Sequence, residues 1–228
     1  MKTESLKLKA YNIIKTNIVE CIYTPGSMIN EEQLKEEFHI SRTPIRDALS
    51  RIEQEGLIQI KPKKGILVTP ITIEEINKIF EVRLLIEPYA IQMYGNTLDT
   101  NVLLEYLSFL QSEDDRLLTK ENIIEKDDEF HDMIINCIPN KYLITFYSII
   151  TSQNKRLRIL SGSKYTDRIE KGCREHIVII EALLKGDYSA ASSALVDHLQ
   201  ESKSSSLKLL TKMPSNNGVW LGKSCFHK

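Results

Sequence analysis

The chain has 228 residues, of which 42% are hydrophobic, so it can form one large or two small globular domains. Its net charge of −1 does not by itself indicate a nucleic-acid partner, and its four cysteines lack the CxxC spacing of a metal or redox motif. No apolar run approaches the ~20 residues of a membrane span, and the charged residues 2–9 are not followed by a signal-peptide hydrophobic segment. We therefore expect a cytoplasmic protein without membrane contact.

Residues 31–56 predict a helix-turn-helix. Residues 31–38 form a short amphipathic helix, and residues 39–40 make the turn into a second helix. Ser41 is a suitable N-cap, expected to accept a hydrogen bond from a first-turn N–H, and Gly56 can adopt the left-handed conformation that ends the helix. Arg42 and Arg46 lie one turn apart on the face opposite the apolar stripe. Two guanidinium groups placed in this way suit guanine bases in a major groove.

A basic hairpin follows this helix. Residues 57–60 and 66–68 are β-prone runs, and the Pro- and Gly-containing turn between them carries Lys63, Lys64 and Gly65. Together with the two helices, the hairpin predicts a winged helix-turn-helix, in which the hairpin lies against the DNA backbone or minor groove. The alternative is an ordinary helical hairpin with a solvated arginine face.

The segment Ser-Arg-Thr-Pro-Ile-Arg-Asp-Ala-Leu at 41–49, with Pro25-Gly26 before it and Lys64-Gly65 after it, resembles the GntR family of bacterial transcription regulators. The resemblance covers about residues 6–70. It implies that Ser41, Arg42, Thr43 and Arg46 contact DNA and that Gly65 lies at the wing tip near the minor groove. The chain departs from the family at His39, which replaces the usual glycine of the turn, and at Glu32 or Gln33, where some relatives have an arginine.

The charge is divided unevenly along the chain. Residues 1–70 contain 11 basic and 9 acidic residues, net +2, whereas residues 71–228 contain 19 basic and 22 acidic residues, net −3. A mildly basic DNA-binding part makes few phosphate contacts, so its electrostatic affinity is modest. We therefore expect a homodimer that binds a palindromic double-stranded DNA operator through two half-sites.

The pattern changes near residue 70 to long helices with little strand propensity. We divide the chain into a DNA-binding domain (1–70), an all-helical effector-binding and dimerisation domain (71–211) and a tail (212–228) that we expect to be disordered. The fold class is mainly α, with an antiparallel six-helix bundle after the winged domain. The six predicted helices span 73–94, 99–118, 121–137, 141–161, 166–185 and 187–210.

Polar residues interrupt the apolar stripes of this bundle. Asp127 and His131 are one helical turn apart, and His176 and His198 each share a face with aliphatic residues. Because unpaired buried polar groups cost several kcal/mol, a bound divalent metal is the economical explanation. Three imidazoles and one carboxylate suit zinc, nickel, manganese or iron. The alternative is a set of hydrogen-bonded core residues, and Cys173 is a weaker candidate ligand.

Residues 74–210 also resemble the helical effector domain of the FadR branch of GntR regulators, in its shorter, VanR-like, six-helix version. The similar residues are Arg83-Leu-Leu-Ile-Glu-Pro88, Asp127-Asp-Glu-Phe-His131, Glu175-His176 and His198-Leu199. The resemblance implies that Asp127, His131, His176 and His198 bind the metal and that Arg83 binds a small carboxylate effector. Helical periodicity independently places Arg83 on an inward face, although an i,i+4 surface pair with Glu87 is the simpler alternative.

These features predict a metabolite-responsive transcription regulator, more specifically a repressor, that is not an enzyme. Two alternatives remain at this point. A metal-dependent enzyme acting on a small organic acid could use the same cluster, and a DNA-binding protein could carry a purely structural helical domain. The sequence does not identify the effector, the operator or the metal, and it does not decide whether DNA binding represses or activates transcription.

Overall fold

The computed structural model describes residues 5–112, 114, 116, 118–161, 166–212 and 219–220. The described residues form two compact units. The first unit lies within Met1–Glu75, Ser152–Leu160 and Leu209–Lys228, and the second lies within Ile76–Thr151 and Ser161–Lys208. The predicted boundary at residue 70 stays a prediction, and the units differ from it chiefly because residues 152–160 group with the first unit.

The first unit is a winged helix-turn-helix, as predicted. Its helices are α1 (Leu6–Val19), α2 (Glu31–Phe38) and α3 (Arg42–Gln54). Its strands are β1 (Met28–Ile29), β2 (Ile58–Lys61) and β3 (Gly65–Val68), which form an antiparallel sheet in the order β1-β3-β2. In the wing, Ile60 lies opposite Ile66 and Lys61 lies opposite Gly65. The core between helices and sheet is built from aliphatic residues such as Ile14, Ile18, Leu34, Ile45, Leu49, Ile52 and Ile66.

The N-terminus of α3 corrects one detail of the prediction. Ser41 occupies the N-cap position with extended backbone, but its side chain makes no capping hydrogen bond. An N-cap side chain accepts from the second or third helical N–H. The third helical residue is Pro44, which has no N–H, so one of the two donors is missing.

Two backbone positions set the ends of the helices around this turn. His39 has a φ of 54° and ends α2 in the left-handed conformation, at the turn where the resemblance described above implies a glycine. Gly56 has a φ of 73° and follows the C-cap of α3, as predicted. Histidine is tolerated at positive φ better than most residues, so the turn forms despite the departure.

Residues 152–160 belong to the long helix α7 (Lys141–Ser161), and buried polar contacts explain their grouping with the first unit. Arg156 is fully buried, and its guanidinium donates to the backbone oxygen of Thr69 and to Gln153 Oε1. Lys155 forms an ion pair with Glu20 at 2.7 Å.

The second domain contains the six helices that periodicity predicts. They are α4 (Ile73–Tyr94), α5 (Thr100–Leu110), α6 (Lys120–Asn136), α7 (Lys141–Ser161), α8 (Thr166–Leu184) and α9 (Tyr188–Lys212). A short 3-10 turn at Gly95–Thr97 separates α4 from α5. Gly186, at φ 72°, and Asp187, whose carboxylate accepts from Ala190 N, make the predicted tight turn before α9. The prediction of a mainly α fold is confirmed.

Helix α5 ends at Leu110, so its predicted continuation to residue 118 is wrong. Ser112 Oγ accepts a hydrogen bond from Asp114 N, and Asp114 Oδ1 accepts one from Arg116 N. Short polar side chains that bond nearby backbone N–H groups compete with helical hydrogen bonds. The apolar residues at 117 and 118 suggested helix, but these local bonds favour a turn.

The predicted disorder of the tail stays a prediction. Strand β5 (Val219–Trp220) pairs antiparallel with β4 (Ile71–Thr72), with Trp220 opposite Ile71. The remaining residues of 213–228 lie outside the described part of the chain. Among the helices that the structure describes, none is long and apolar enough to cross a membrane.

Candidate metal centre and DNA-reading face

The structure brings together the four residues that the sequence assigns to a metal. Asp127 and His131 lie on α6, His176 lies on α8 and His198 lies on α9. One ligand atom from each residue lies within 4.8 Å of every other, and all three histidines are buried. We call these four residues the histidine–aspartate cluster.

The ligand atoms of the cluster face one another. Asp127 Oδ1 lies 3.6 Å from His176 Nε2, and Asp127 Oδ2 lies 3.9 Å from His131 Nε2. The Nε2 atoms of His176 and His198 are 3.3 Å apart. Each imidazole therefore directs its Nε2 atom toward the centre of the cluster and leaves its Nδ1 atom for another partner.

Two of these Nδ1 atoms contact buried or half-buried glutamates. His131 Nδ1 lies 2.6 Å from Glu87 Oε2, and His198 Nδ1 lies 2.7 Å from Glu175 Oε2. An ionised carboxylate only accepts hydrogen bonds, so Nδ1 carries the proton and donates. Nε2 is then the nitrogen with the lone pair. Metal-binding histidines are oriented by contacts of this kind.

The third histidine has a phenolic partner. His176 Nδ1 lies 2.9 Å from Tyr106 Oη, and both residues are buried. The phenolic oxygen can accept from Nδ1–H, which leaves Nε2 of His176 available to a metal as well. Tyr106 lies on the apolar face of α5 with Leu103 and Leu110, so its position follows from helical periodicity.

Glu87 is held by more than His131. It is fully buried, and it accepts hydrogen bonds from Arg83 Nε at 2.6 Å and from Tyr147 Oη. Burial by itself would raise the pKa of Glu87, but the positive charge of Arg83, with further help from His131, holds that pKa well below its usual range. Glu87 is therefore a carboxylate that fixes the orientation of His131.

Glu175 is half-buried and, like Glu87, is paired with cations. Arg168 Nη2 lies 2.9 Å from Glu175 Oε2, and Lys171 Nζ lies 3.8 Å from Oε1. The same Oε2 atom receives His198 Nδ1. Two of the three imidazoles are therefore each positioned by a glutamate that is itself paired with an arginine.

The donor set fits a divalent metal ion. His131 Nε2 is buried and has no hydrogen-bond partner in the described part of the chain. Burial lowers the pKa of His198 well below its usual value, with nearby positive charges adding to the effect, so this imidazole is neutral, the form that binds metals. An unpaired buried acceptor costs about 1–3 kcal/mol, and an ion at the centre would remove that cost.

Arg83 lies where periodicity predicts, on the buried face of α4 with 4% of its surface exposed. The simpler alternative was a surface pair with Glu87. The pair does form, but it is buried, with side-chain exposures of 5% and 0%. A role for Arg83 in binding an effector stays a prediction.

The predicted DNA-contacting residues of α3 are exposed together. Ser41, Arg42, Thr43 and Arg46 are all solvent-accessible at the N-terminal end of the helix. The two arginines contact acids of α2: Arg42 Nη2 lies 2.7 Å from Glu32 Oε2, and Arg46 Nε lies 2.8 Å from Glu31 Oε2.

The wing presents its two lysines to solvent, and its glycine has a structural reason. Lys63 and Lys64 are exposed, and Lys63 has a φ of 62°. Gly65 has a φ of 112°, and a Cβ atom there would lie 2.9 Å from the backbone oxygen of Ile29. Glycine is therefore required by the strand pairing of the wing, whether or not DNA is bound.

Known protein families match both domains. Residues 6–68 match the model described as bacterial regulatory proteins, gntR family, and residues 78–201 match the FCD domain. The second match alone spans more than half of the chain.

The chain belongs to the family of FCD-domain proteins and carries a gntR-family domain at residues 6–68.

Its relatives within the family are transcription regulators. It is 28% identical over 196 residues to the uncharacterized HTH-type transcriptional regulator YdhC of Bacillus subtilis, and the aligned region covers 84% of this chain and 86% of YdhC. It is 25% identical over 201 residues to the HTH-type transcriptional repressor RspR of Escherichia coli, which covers 87% of this chain and 88% of RspR. The predictions of a GntR-type DNA-binding regulator, and of a regulator rather than an enzyme, are confirmed.

Solved structures share the fold. A GntR-type regulator from Rhodococcus sp. RHA1 superposes with a TM-score of 0.74 at 17% identity, covering 89% of this chain and 97% of that one. The zinc-bound FCD domain of TM0439 superposes with a TM-score of 0.54 at 22% identity, covering 63% of this chain and 99% of that one. At these identities the likeness establishes the fold of both domains.

The residues that orient the three histidines are not evident from the sequence. The sequence predicts for Glu87 only a surface pair with Arg83, and it predicts no role for Glu175 or Tyr106. A glutamate next to a histidine on an inward face, as in Glu175-His176, could have indicated such a partner. Cys173 is half-buried and is not a member of the four-residue cluster.

Proposed function

We propose that this regulator binds one divalent metal ion through Asp127, His131, His176 and His198, and that a small carboxylate effector controls its affinity for DNA. The observation that carries the proposal is the shared orientation of the three imidazoles. Each directs Nε2 to one point, each has a hydrogen-bond partner on Nδ1, and His131 Nε2 is buried without a partner among the described residues.

Three imidazoles and one carboxylate supply four ligands, which suits zinc, nickel, manganese or iron. Metals that take five or six ligands keep positions open for a further oxygen donor. The zinc-bound FCD domain of TM0439 supports a metal role for a domain of this fold. A carboxylate effector would supply the oxygen for an open position.

Arg83 is the proposed second contact for the effector. Burial lowers the pKa of His198 most, followed by the charges of His131 and Arg168, and the positive charge of Arg83 makes a smaller contribution in the same direction. A guanidinium has five N–H donors in a fixed fork, and Glu87 takes the Nε donor. An acid that binds both the metal and Arg83 would pull on Glu87 and, through it, on His131.

On the DNA side, the proposal is a homodimeric repressor that binds a palindromic operator. Arg42, Thr43 and Arg46 read bases in the major groove, Ser41 contacts the backbone, and Lys63, Lys64 and Gly65 approach the minor groove. The net charge of +2 on residues 1–70 favours two linked half-sites over one. The named repressor RspR supports repression as the direction of control.

Metal content tests the proposal most directly. Protein purified without chelator or nickel resin is measured by elemental mass spectrometry, before and after re-loading with each candidate metal. We expect about one tightly held ion per protomer, lost in His131→Ala. The matched control is His39→Asn, which removes a histidine outside the cluster at a position where asparagine tolerates positive φ.

The metal-loaded protein is then tested with a panel of small carboxylates for release from DNA. Release that requires both metal and acid supports the sensor. The absence of bound metal after re-loading, or equal metal content in His131→Ala, would show that the cluster is a polar core and that the domain senses its signal differently.

A further inference from the structure

Arg42 and Arg46, which we propose contact bases, both form ion pairs with carboxylates of the preceding helix. Glu31 and Glu32 are the first two residues of α2 and follow its N-cap, Asn30. Glu32 pairs with Arg42 at 2.7 Å, and Glu31 pairs with Arg46 at 2.8 Å. Two parallel ion pairs thus connect the N-terminal ends of the two helices of the helix-turn-helix.

These pairs neutralise most of the arginine charge available for DNA in the first domain. Residues 1–70 contain three arginines, and the third, Arg51, lies over the Tyr11 ring at 3.8 Å and faces Glu55. The remaining cations of the predicted DNA-binding surface are the wing lysines, Lys63 and Lys64. Without DNA, the end of α3 that enters the major groove is therefore close to neutral.

The carboxylate of Glu32 is held in its ionised form by two cations. Hydrogen bonds from Lys35 and Arg42 lower the pKa of Glu32 to about 2. Acids at the N-terminus of a helix are further favoured by the helix dipole. In helix-turn-helix proteins the first helix crosses the DNA backbone, so these acids would also approach phosphate groups and repel them.

All four side chains are substantially exposed, with 63% and 45% exposure for Arg42 and Glu32, and 66% and 32% for Arg46 and Glu31. Exposed ion pairs are weak, so a ligand can displace them. A phosphate offers an arginine about the same interaction as a carboxylate does. A guanine edge offers two acceptors, O6 and N7, in the geometry of the guanidinium fork.

We propose that Glu31 and Glu32 are specificity-determining residues, which hold Arg46 and Arg42 in the DNA-free regulator and release them to a matching base edge but not to phosphate alone. The acids lower affinity for non-specific DNA more than affinity for the operator. The proposal rests on the assignment of Arg42 and Arg46 as the reading residues, which Arg46→Ala tests separately.

The test uses the full-length protein and an operator selected from a random duplex library. Affinity for the operator and for a scrambled duplex of equal length is measured by fluorescence anisotropy across a salt series. The variants are Glu31→Gln, Glu32→Gln and their combination. The matched control is Glu36→Gln, which makes the same charge change on an exposed residue of α2 that has no ion pair among the described residues.

Each of the two single variants should bind scrambled DNA ~2–5-fold more tightly, because Glu31→Gln releases Arg46 and Glu32→Gln releases Arg42 together with Lys35, which also pairs with Glu32. The double variant should show a steeper salt dependence, with the slope larger by about one for each arginine released to phosphate. Operator affinity should rise less, so the ratio of operator to scrambled affinity should fall. Glu36→Gln should change both affinities equally and leave that ratio unaltered.

Two results would overturn the proposal. The first is an unchanged or higher ratio of operator affinity to scrambled-duplex affinity in the double variant, which would show that the acids do not compete with DNA. The second is weaker binding to the operator without tighter binding to the scrambled duplex, which would show that the acids contact bases directly. An equal fall of the ratio in Glu36→Gln would reduce the effect to general charge. If Arg46→Ala leaves operator affinity unchanged, Arg46 does not contact bases. The premise of the proposal is then wrong, whatever the glutamate variants show.

Discussion

Replacing Glu87 with glutamine tests whether one carboxylate supports both the fold and the metal centre. Glu87 is fully buried and accepts hydrogen bonds from Arg83, Tyr147 and His131. Glutamine has nearly the same size but no charge, so Arg83 would remain buried without its counter-charge. Breaking a buried ion pair in this way costs about 3–5 kcal/mol.

We expect a loss near the lower end of that range, about 3 kcal/mol, because the amide oxygen of glutamine can still accept a hydrogen bond from Arg83 or Tyr147. Metal affinity should fall by a further, separate effect. The amide no longer fixes the tautomer of His131, and loss of such an orienting partner typically costs about 10–100-fold in affinity.

Stability is measured by urea denaturation of chelator-treated protein, followed by circular dichroism, and metal affinity by competition with a fluorescent chelator. Glu81→Gln is the control, because it makes the same substitution on an exposed position of the same helix and should stay within about 0.5 kcal/mol of wild type. If Glu87→Gln loses less than about 1 kcal/mol of unfolding free energy and keeps its metal affinity, Glu87 neither compensates the charge of Arg83 nor orients His131.

Two further predictions concern the DNA-binding domain. Arg46→Ala should weaken operator binding by about 1–3 kcal/mol and relax the preference at one base position, which binding-site selection with the variant would detect; the same operator affinity as wild type would remove Arg46 from base reading. Gly65→Ala should destabilise the first domain by about 1–3 kcal/mol, because alanine is strained at a φ of 112° and its Cβ would contact Ile29 O. Thermal unfolding checks this, and an unchanged midpoint would show that the wing can shift to accept a side chain.

The fold of both domains was predictable where pattern and local chemistry agree. Helix α3 has an apolar stripe, a proline in its first turn and a glycine after its end, and each of these features has its expected place in the structure. Helix α1 was not assigned from the sequence, although Ser5 caps it and Ala10, Ile14 and Ile18 repeat at helical spacing. Strand β1 has only two residues, which is too short for any periodicity to indicate.

The histidine–aspartate cluster was predictable from the sequence, but the residues that orient its histidines were not. Periodicity places three histidines and Asp127 on inner faces of helices in one bundle. Glu87 and Glu175 contact histidines 44 and 23 residues away in sequence, and the adjacency of Glu175 to His176 is the one local sign of either contact. A glutamate is usually solvent-exposed, so the sequence favours a surface role until a buried cation is shown beside it.

The arginines to which the sequence assigns a ligand have one property in common. Arg42, Arg46 and Arg83 each form an ion pair with a glutamate. A ligand for any of them therefore exchanges with a carboxylate, and the free energy of binding is the difference between two interactions of similar kind. Such an exchange limits affinity but strengthens discrimination, because only a ligand with better geometry than the resident carboxylate gains from it. For the proposed regulator, which would select an operator among many similar DNA sites and one acid among many, discrimination is the property that matters more.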